Sequence, residues 1–235
     1  MEQKFDIKNS IINLARMVRY NLKIIFANRF IWFLIAALGF FLFFAIQTVW
    51  NRGTLNEGTI YMLLIFPGIL LIFYPSVFGI QNDDDSRMLE ILFGIPNYRY
   101  KVWLVRLIMI YVLIYIIILA FAGLASVLLY KVNIPEMAYQ LMYPIVFMGS
   151  MAFMFSTIIK NGNGTAVTMV SLIILQDALE RTYWNIFLNP FQIPDNFNEV
   201  IWEGLITRNR IFLGVGIVVF ILYGLYNLQK REKFV

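Results

Sequence analysis

The sequence from Phe30 to Trp50, FIWFLIAALGFFLFFAIQTVW, contains no charged side chain. A helix of about 20 residues, rising about 1.5 Å per residue, crosses the ~30 Å hydrocarbon core of a bilayer. The rest of the chain has a similar character, because 60% of its 235 residues are hydrophobic and only 14% are charged. Soluble domains carry roughly 45–50% apolar and about 25% charged residues. The composition therefore predicts an all-α protein that crosses a membrane several times.

Six apolar runs are long enough, or nearly long enough, to span the bilayer. They are Phe30–Trp50, Thr59–Ile80, Val102–Leu129, Leu141–Ile159, Thr165–Leu179 and Ile211–Leu228. The third run is long enough to project beyond the membrane, whereas the fifth is short. We therefore predict a transmembrane domain of six helices over residues 30–235, with both termini on the same side.

Basic residues are distributed unequally between the two sides that this topology defines. One side, which holds both termini and the second and fourth loops, carries 14 Lys and Arg residues. The other side carries five: Arg52, Lys131, Arg181, Arg208 and Arg210. By the positive-inside rule, the first side is cytoplasmic. We expect a multi-pass protein of the cell inner or plasma membrane, and its net charge of +5 reflects orientation in the lipid bilayer rather than nucleic acid as a partner.

Residues 1–29 form a separate cytoplasmic arm. Their apolar residues recur at helical spacing, with most of the basic residues on the opposite side, which predicts an amphipathic helix lying along the membrane surface. This helix either rests on lipid alone or also contacts a partner subunit. The arm is too long for the basic region of a signal peptide, so we expect the first apolar run to be retained as a span.

The whole chain contains no Cys and no His. Thiolate chemistry, Ser–His hydrolysis and His- or Cys-ligated zinc sites are therefore excluded. Asn161–Thr165 contains two glycines but lacks the Lys of a phosphate-binding loop, so it is interpreted as a turn between the fourth and fifth spans. The consecutive carboxylates Asp83–Asp85 do not converge on one ion without a sharp turn, and they favour an acidic cap near a helix start over a metal site. We predict no catalytic residue, no metal site and no cofactor bound by this chain.

A charged segment, DDDSRMLEILFGIPNYRYKVWLVR at Asp83–Arg106, separates the second and third spans. Ser86 with its acidic neighbours favours a helix start, and Gly94 with Pro96 favours a helix end. These signals predict a short helix over about 85–96. The topology places it at the cytoplasmic mouth of the bundle, where it can meet a soluble partner. An ordinary amphipathic loop is the alternative.

At these residues the chain resembles the ABC-2 family, the permease subunits of ATP-binding-cassette exporters. In that family an acidic pair and a small residue follow the second span, then a Glu, a Pro, an Arg and a later basic residue. The matching residues here are Asp83, Asp85, Ser86, Glu90, Pro96, Arg99 and Arg106. The chain departs from the family at Arg87, where a Gly is usual. The resemblance extends to six spans, the amphipathic N-terminus and an Asn-Pro-Phe element before the last span: Asn189, Pro190 and Phe191.

The resemblance implies a half-transporter. Two permeases, identical or different, would pair to form the path, and each would dock a separate cytoplasmic ATPase through the coupling helix at about 85–96. ATP and magnesium are then expected on the ATPase partner. Glu90, Tyr98 and Arg99 are the candidates for direct ATPase contact, within a docking set that also contains Asp83, Asp85, Ser86, Arg87, Pro96 and Arg106.

Few polar side chains lie at membrane depth, and a group of them closes the fifth span: Gln176, Asp177, Glu180 and Arg181. A charge near mid-bilayer costs ~2.5–3.5 kcal/mol on insertion scales, so Asp177 should face the bundle interior or pair with Arg181 at helical spacing. A structural ion pair and direct substrate contact both stay open. By the resemblance, residues 181–210 are short helices in the outer leaflet that form an external gate. With Asn189, Pro190 and Phe191, the polar group forms the candidate translocation path.

Two other classes of protein remain as alternatives to an exporter. One is a membrane scaffold or assembly subunit without a transport path. The other is a secondary transporter, which is expected to show more mid-span charges and often an internal repeat. The substrate is not identified by the sequence, and an amphipathic molecule is only weakly favoured.

Overall fold

The computed structural model describes residues 30–50, 53–85, 99–176, 182–195 and 197–228. Within these ranges the chain forms six α-helices and one π-helical turn, and it contains no β-strand. The π-helical turn, Arg99–Leu104, leads directly into the third α-helix. The α-helices are α1 (Phe30–Trp50), α2 (Glu57–Asp85), α3 (Val105–Leu128), α4 (Ile134–Ile159), α5 (Gly162–Gln176) and α6 (Glu199–Asn227).

Five helices, α1, α2, α3, α4 and α6, are long and apolar enough to cross a membrane. The all-α class and the membrane character are therefore confirmed. The helix α5 has 15 residues, which corresponds to about 22 Å and is shorter than the hydrocarbon core. A sixth span and the side on which the termini lie stay predictions. The predicted amphipathic arm, residues 1–29, lies outside the described residues.

Two helices begin about two turns or more before their apolar runs. The helix α4 starts at Ile134 rather than Leu141, with Pro135 in its first turn, where the missing N–H is harmless. The helix α6 starts at Glu199 rather than Ile211, and the Asn198 side chain caps it by accepting a hydrogen bond of 2.9 Å from the Ile201 N–H. Residues 199–210 are thus the first turns of one long helix and not a separate short helix, which corrects the expectation from the sequence.

The helices α2 and α4 form the centre of the bundle. The helix α2 packs against α1, α3, α4 and α5, and α4 also packs against α3, α5 and α6. Two glycines allow the close approach of α2 to α4, because a Cβ at Gly68 would collide with Ile145 and one at Gly149 would collide with Ile72. Small residues at such crossings are typical of membrane helices. In contrast, α1 and α6 leave most of their apolar surface exposed.

The successive helices run in alternating directions, so their connections lie at two ends of the bundle. At one end, α2 ends, α3 begins and α4 turns into α5. This end is called the docking end after the prediction made for residues 85–96. The turn there uses Lys160 in the left-handed conformation (φ 61°), and the Asn161 side chain accepts a hydrogen bond of 3.1 Å from the Gly164 N–H. The predicted turn is confirmed, although Gly162 and Gly164 already belong to α5. At the other end, residues 182–195 lie over the helices and are called the cap below.

Candidate functional site

The predicted coupling helix lies largely outside the described residues. Ser86, Arg87, Glu90, Pro96 and Tyr98 all belong to the undescribed range 86–98. The backbone of Asp83 and Asp85 forms the last turn of α2, and that of Arg99 opens the π-helical turn. The structure therefore describes the two attachment points of the coupling segment but not its docking surface.

The first attachment point is a continuous helix. The helix α2 has 29 residues and contains both Pro67 and Pro75 without ending at either. Its length is about 43 Å, which exceeds the ~30 Å hydrocarbon core by roughly two turns. The acidic residues at its end are thus carried on the same helix that forms the centre of the bundle.

The second attachment point is a buried tryptophan. Trp103 in the π-helical turn is 2% exposed, and its ring centroid lies 6.0 Å from that of Phe153 on α4. It belongs to a buried cluster that also contains Ile80 of α2 and Leu225 of α6. The guanidinium carbon of Arg106 lies 5.0 Å from the centroid of the Trp103 ring, a cation–π contact. The start of α3 is therefore fixed to α2, α4 and α6.

At the opposite end, side-chain amides shape the cap. The Asn185 side chain accepts a hydrogen bond of 2.8 Å from the Phe187 N–H. In the same way, the Asn189 side chain accepts a bond of 3.0 Å from the Phe191 N–H, across Pro190. Such local bonds fold the backbone into turns without a helix. The Asn-Pro-Phe element, which the sequence placed in the gate, is therefore one of the turns of the cap.

The cap is hydrogen-bonded to three helices. Asn189 Nδ2 donates to the Gly58 carbonyl of α2 at 2.9 Å. Asn209 Nδ2 of α6 donates to the carbonyls of Tyr183 and Asn185, at 2.9 Å and 2.8 Å. The side chain of Gln176, the last residue of α5, accepts a hydrogen bond of 3.1 Å from the Ile186 N–H of the cap. The cap is thus a fixed lid over this end of the bundle, and Gln176 is part of its attachment.

A buried arginine lies beneath the cap. Arg210 of α6 is 9% exposed; its Nε donates to Gln140 Oε1 of α4 at 3.0 Å, and its Nη1 donates to Asn209 Oδ1 at 2.9 Å. Its guanidinium carbon lies 5.1 Å from the centroid of the Tyr143 ring. The guanidinium also interacts electrostatically with the fully buried Tyr61 of α2. All of these contacts are to neutral groups.

Among the described residues, no partner compensates the charge of Arg210 or one of its donors. Within the described part of the chain it forms no ion pair, and its Nη2 atom is buried without a hydrogen-bond partner. An arginine at the centre of a membrane helix costs ~2.5–3.5 kcal/mol on insertion scales, and such residues usually serve a function. Arg210 is therefore the strongest functional candidate among the residues whose side chains the structure describes.

Arg210 is not among the site residues expected from the sequence, because the last apolar run begins only at Ile211 and the preceding residues are predicted to be outside the span. With α6 beginning at Glu199, Arg210 lies about 17 Å along the helix. The sequence does contain a pattern that could have indicated the longer helix, because Trp202, Asn209 and Leu213 recur at helical spacing. All three are buried in the structure. A face that includes a buried amide next to an arginine indicates a packed polar site rather than a loop.

Among the described residues, three clefts are found at this end of the bundle, and two of them share a lining residue. The first, the cap cleft, has a volume of ≈ 320 Å³ and lies between the cap, α2 and α6. The second, the α1–α2 groove, has a volume of ≈ 330 Å³. Met62 of α2 lines both. The other lining residues of the cap cleft are Asn185, Phe187, Leu188, Asn189, Gln192, Pro194 and Trp202.

The remaining residues of the predicted path are not described. Asp177, Glu180 and Arg181 lie outside the described residues, and the predicted pairing of Asp177 with Arg181 stays a prediction. The structure thus brings together Gln176, the Asn-Pro-Phe turn and Arg210 at one end of the bundle. The coupling residues belong to the other end.

Comparison with family models, with curated proteins and with solved structures finds no match to this chain. The resemblance to ABC-2 permeases therefore depends on features of the sequence alone, namely the residues of Asp83–Arg106, the predicted topology and N-terminal helix, and the Asn-Pro-Phe element.

Proposed function

We propose that this chain is the transmembrane permease subunit of an ATP-binding-cassette exporter. It pairs with a second permease and docks a separate cytoplasmic ATPase through residues 85–96. The observation that supports this proposal most directly is the way in which that segment is attached. It connects the end of the central helix α2 to the start of α3, where Trp103 is packed against α4 and α6.

This attachment suits a lever. A force applied to the segment acts on α2, which has no helix break between Asp85 and Glu57. The first turn of α2 carries Gly58, whose carbonyl binds the cap through Asn189 at 2.9 Å. One helix therefore connects the docking end to the cap, and its displacement as a rigid body would change both ends together. ATP binding and hydrolysis on the partner would supply the force.

Two charge reversals test the docking assignment. The chain is coexpressed with a candidate cytoplasmic ATPase subunit, and complexes of the wild type, Glu90→Arg and Arg99→Glu are purified. We expect both variants to lose most of the ATPase and to lose its stimulation in proteoliposomes, because like charges then face each other across the contact. The matched controls are Glu203→Arg and Arg208→Glu, exposed positions of α6, which should bind normally. Normal binding and stimulation in both docking variants would refute the assignment.

A secondary transporter is the second candidate, and one observation favours it. Arg210 is a buried charge within an apolar helix, with no counter-charge among the described residues, and such charges often mark ion or substrate pathways in transporters. The two functions differ in their energy source. Transport by the purified chain alone, driven by an ion gradient and unaffected by ATP, would favour the secondary transporter over the exporter.

A further inference from the structure

We propose that the cap cleft and the α1–α2 groove together bind an anionic amphiphile. Its acidic head lies in the cap cleft, where the charge of Arg210 compensates it, and its apolar chain lies in the groove. The binding site is independent of the proposed function. If the chain is an exporter subunit, the bound amphiphile is its cargo, and only this role rests on the proposed function.

This end of the bundle has hydrogen-bond donors without acceptors among the described residues. Arg210 Nη2 and Trp202 Nε1 are both buried without a hydrogen-bond partner within the described ranges. Trp202 is 4% exposed and lines the cap cleft. Buried donors usually have partners, so an unmatched donor in the wall of the cleft favours a ligand that carries acceptors. The nearby charge of Arg210, which no counter-charge among the described residues compensates, favours an acceptor that carries negative charge. A carboxylate or a phosphate has this chemistry.

Arg210 lies directly behind the wall of the cap cleft. Its Nη1 donates to Asn209, which in turn donates to the carbonyl of Asn185 at 2.8 Å. Tyr61, which interacts with the guanidinium, donates to the Leu188 carbonyl at 3.5 Å. Asn185 and Leu188 both line the cleft. Because charges are weakly screened in such surroundings, the field of Arg210 extends into the cleft without direct contact.

The shape of the second cleft selects an apolar chain. The α1–α2 groove is lined by Phe44, Leu63 and Phe66, together with two threonines. Met62 is 50% exposed and lines both clefts, so a ligand that passes it occupies a polar site and an apolar site at once. A free inorganic anion would leave the groove empty, whereas an amphiphile fills both parts.

The alternative is a counter-ion from this chain itself. Asp177 and Glu180 follow α5 in the sequence and lie outside the described residues. If one of them pairs with Arg210, neutralising that carboxylate should destabilise the protein, and neutralising Arg210 as well should restore stability. The ligand proposal instead expects Asp177→Asn and Glu180→Gln to leave ligand binding unchanged.

The test measures saturable binding of radiolabelled dodecyl phosphate to the full chain in phosphatidylcholine nanodiscs, with empty nanodiscs as background. We expect Arg210→Gln to weaken binding at least tenfold. Arg208→Gln, an exposed arginine two residues earlier on the same helix, should have no effect. Unlabelled dodecanoate should compete, whereas inorganic phosphate and dodecyltrimethylammonium should not.

A second variant keeps the test decisive if Arg210→Gln fails to fold. Met62→Trp fills the junction of the two clefts at a half-exposed position and should weaken binding at least fivefold. Val219→Trp, on the exposed surface of α6, should bind normally. The proposal is overturned if the wild type binds no more than the background, or if binding is unchanged in Arg210→Gln or Met62→Trp. It is also overturned if phosphate or the ammonium compound competes, or if the double variant of Arg210 and a carboxylate regains stability. The ATPase is absent from this assay, so a negative result would refute the ligand proposal and leave the docking proposal intact.

Discussion

At the scale of single residues, asparagine is the side chain that builds the cap. Its amide offers an acceptor and donors at once, and Asn189 uses both. Its oxygen accepts from the Phe191 N–H at 3.0 Å, and its nitrogen donates to the Gly58 carbonyl at 2.9 Å. Asn189 is 7% exposed, so water does not readily replace these bonds. The same side chain therefore forms the turn and fastens it to α2.

Replacing Asn189 by Ala should loosen the cap. The variant leaves a buried carbonyl and a backbone N–H without their partners, which lowers the free energy of unfolding by about 1–3 kcal/mol. Thermal unfolding and hydrogen exchange of residues 182–195 measure the effect. Asn133→Ala is the matched control, because Asn133 is exposed and, among the described residues, its side chain bonds to the neighbouring Glu136 alone. Equal, small effects of the two substitutions would show that the Asn189 bonds do not hold the cap.

At the scale of helices, the α2–α4 contact depends on two missing side chains. An added Cβ at Gly149 would collide with Ile72, and one at Gly68 would collide with Ile145. The two glycines thus lie on facing helices and bring the backbones together. Because α2 and α4 touch most of the other helices, this contact fixes the spacing of the whole bundle.

Gly149→Ala should therefore destabilise the bundle. Inserting a methyl group into a packed interior costs about 1–3 kcal/mol, although alanine favours a helix over glycine by about 1 kcal/mol. The expected net result is a lower unfolding temperature in detergent. Gly214→Ala on α6 meets no atom within 4 Å and should be neutral or slightly stabilising. If Gly149→Ala is as stable as Gly214→Ala, then the two helices can separate without loss.

The ends of some helices can be predicted from the sequence, and the ends of others cannot. The helix α1 coincides with its apolar run, Phe30–Trp50, because the helix contains no charged turn that a count of apolar residues would leave out. The early turns of α6 include Glu199, Glu203 and Arg208, and a count of apolar residues stops before them although the helix continues. Arg210 was consequently assigned to a loop. Its partner Gln140 lies on α4, 70 positions away, a pairing that spacing along one helix cannot predict.

At the scale of the whole molecule, the two ends of the bundle differ in chemistry. The docking end carries the acidic end of α2 and the Trp103 cluster, whereas the other end carries the amide-rich cap above Arg210. The helix α2 joins them over about 43 Å. A docking function requires the first end to face the cytoplasm, and a gate requires the cap to face the opposite side. The orientation of the chain is therefore the premise on which both the docking and the gating assignments depend.

Single cysteines can determine this orientation, because the chain contains none of its own. Tyr130→Cys, after α3, and Asp195→Cys, in the cap, replace exposed residues. We expect a membrane-impermeant maleimide to label both in intact cells. Glu2→Cys and Val235→Cys, at the termini, should react only after permeabilisation, because the positive-inside rule places both termini in the cytoplasm. The reversed pattern would place the cap in the cytoplasm and the coupling segment outside, where no ATPase could reach it. Labelling of only one terminus in intact cells would mean an odd number of spans, and α5, with only 15 residues, would then be the helix that does not cross.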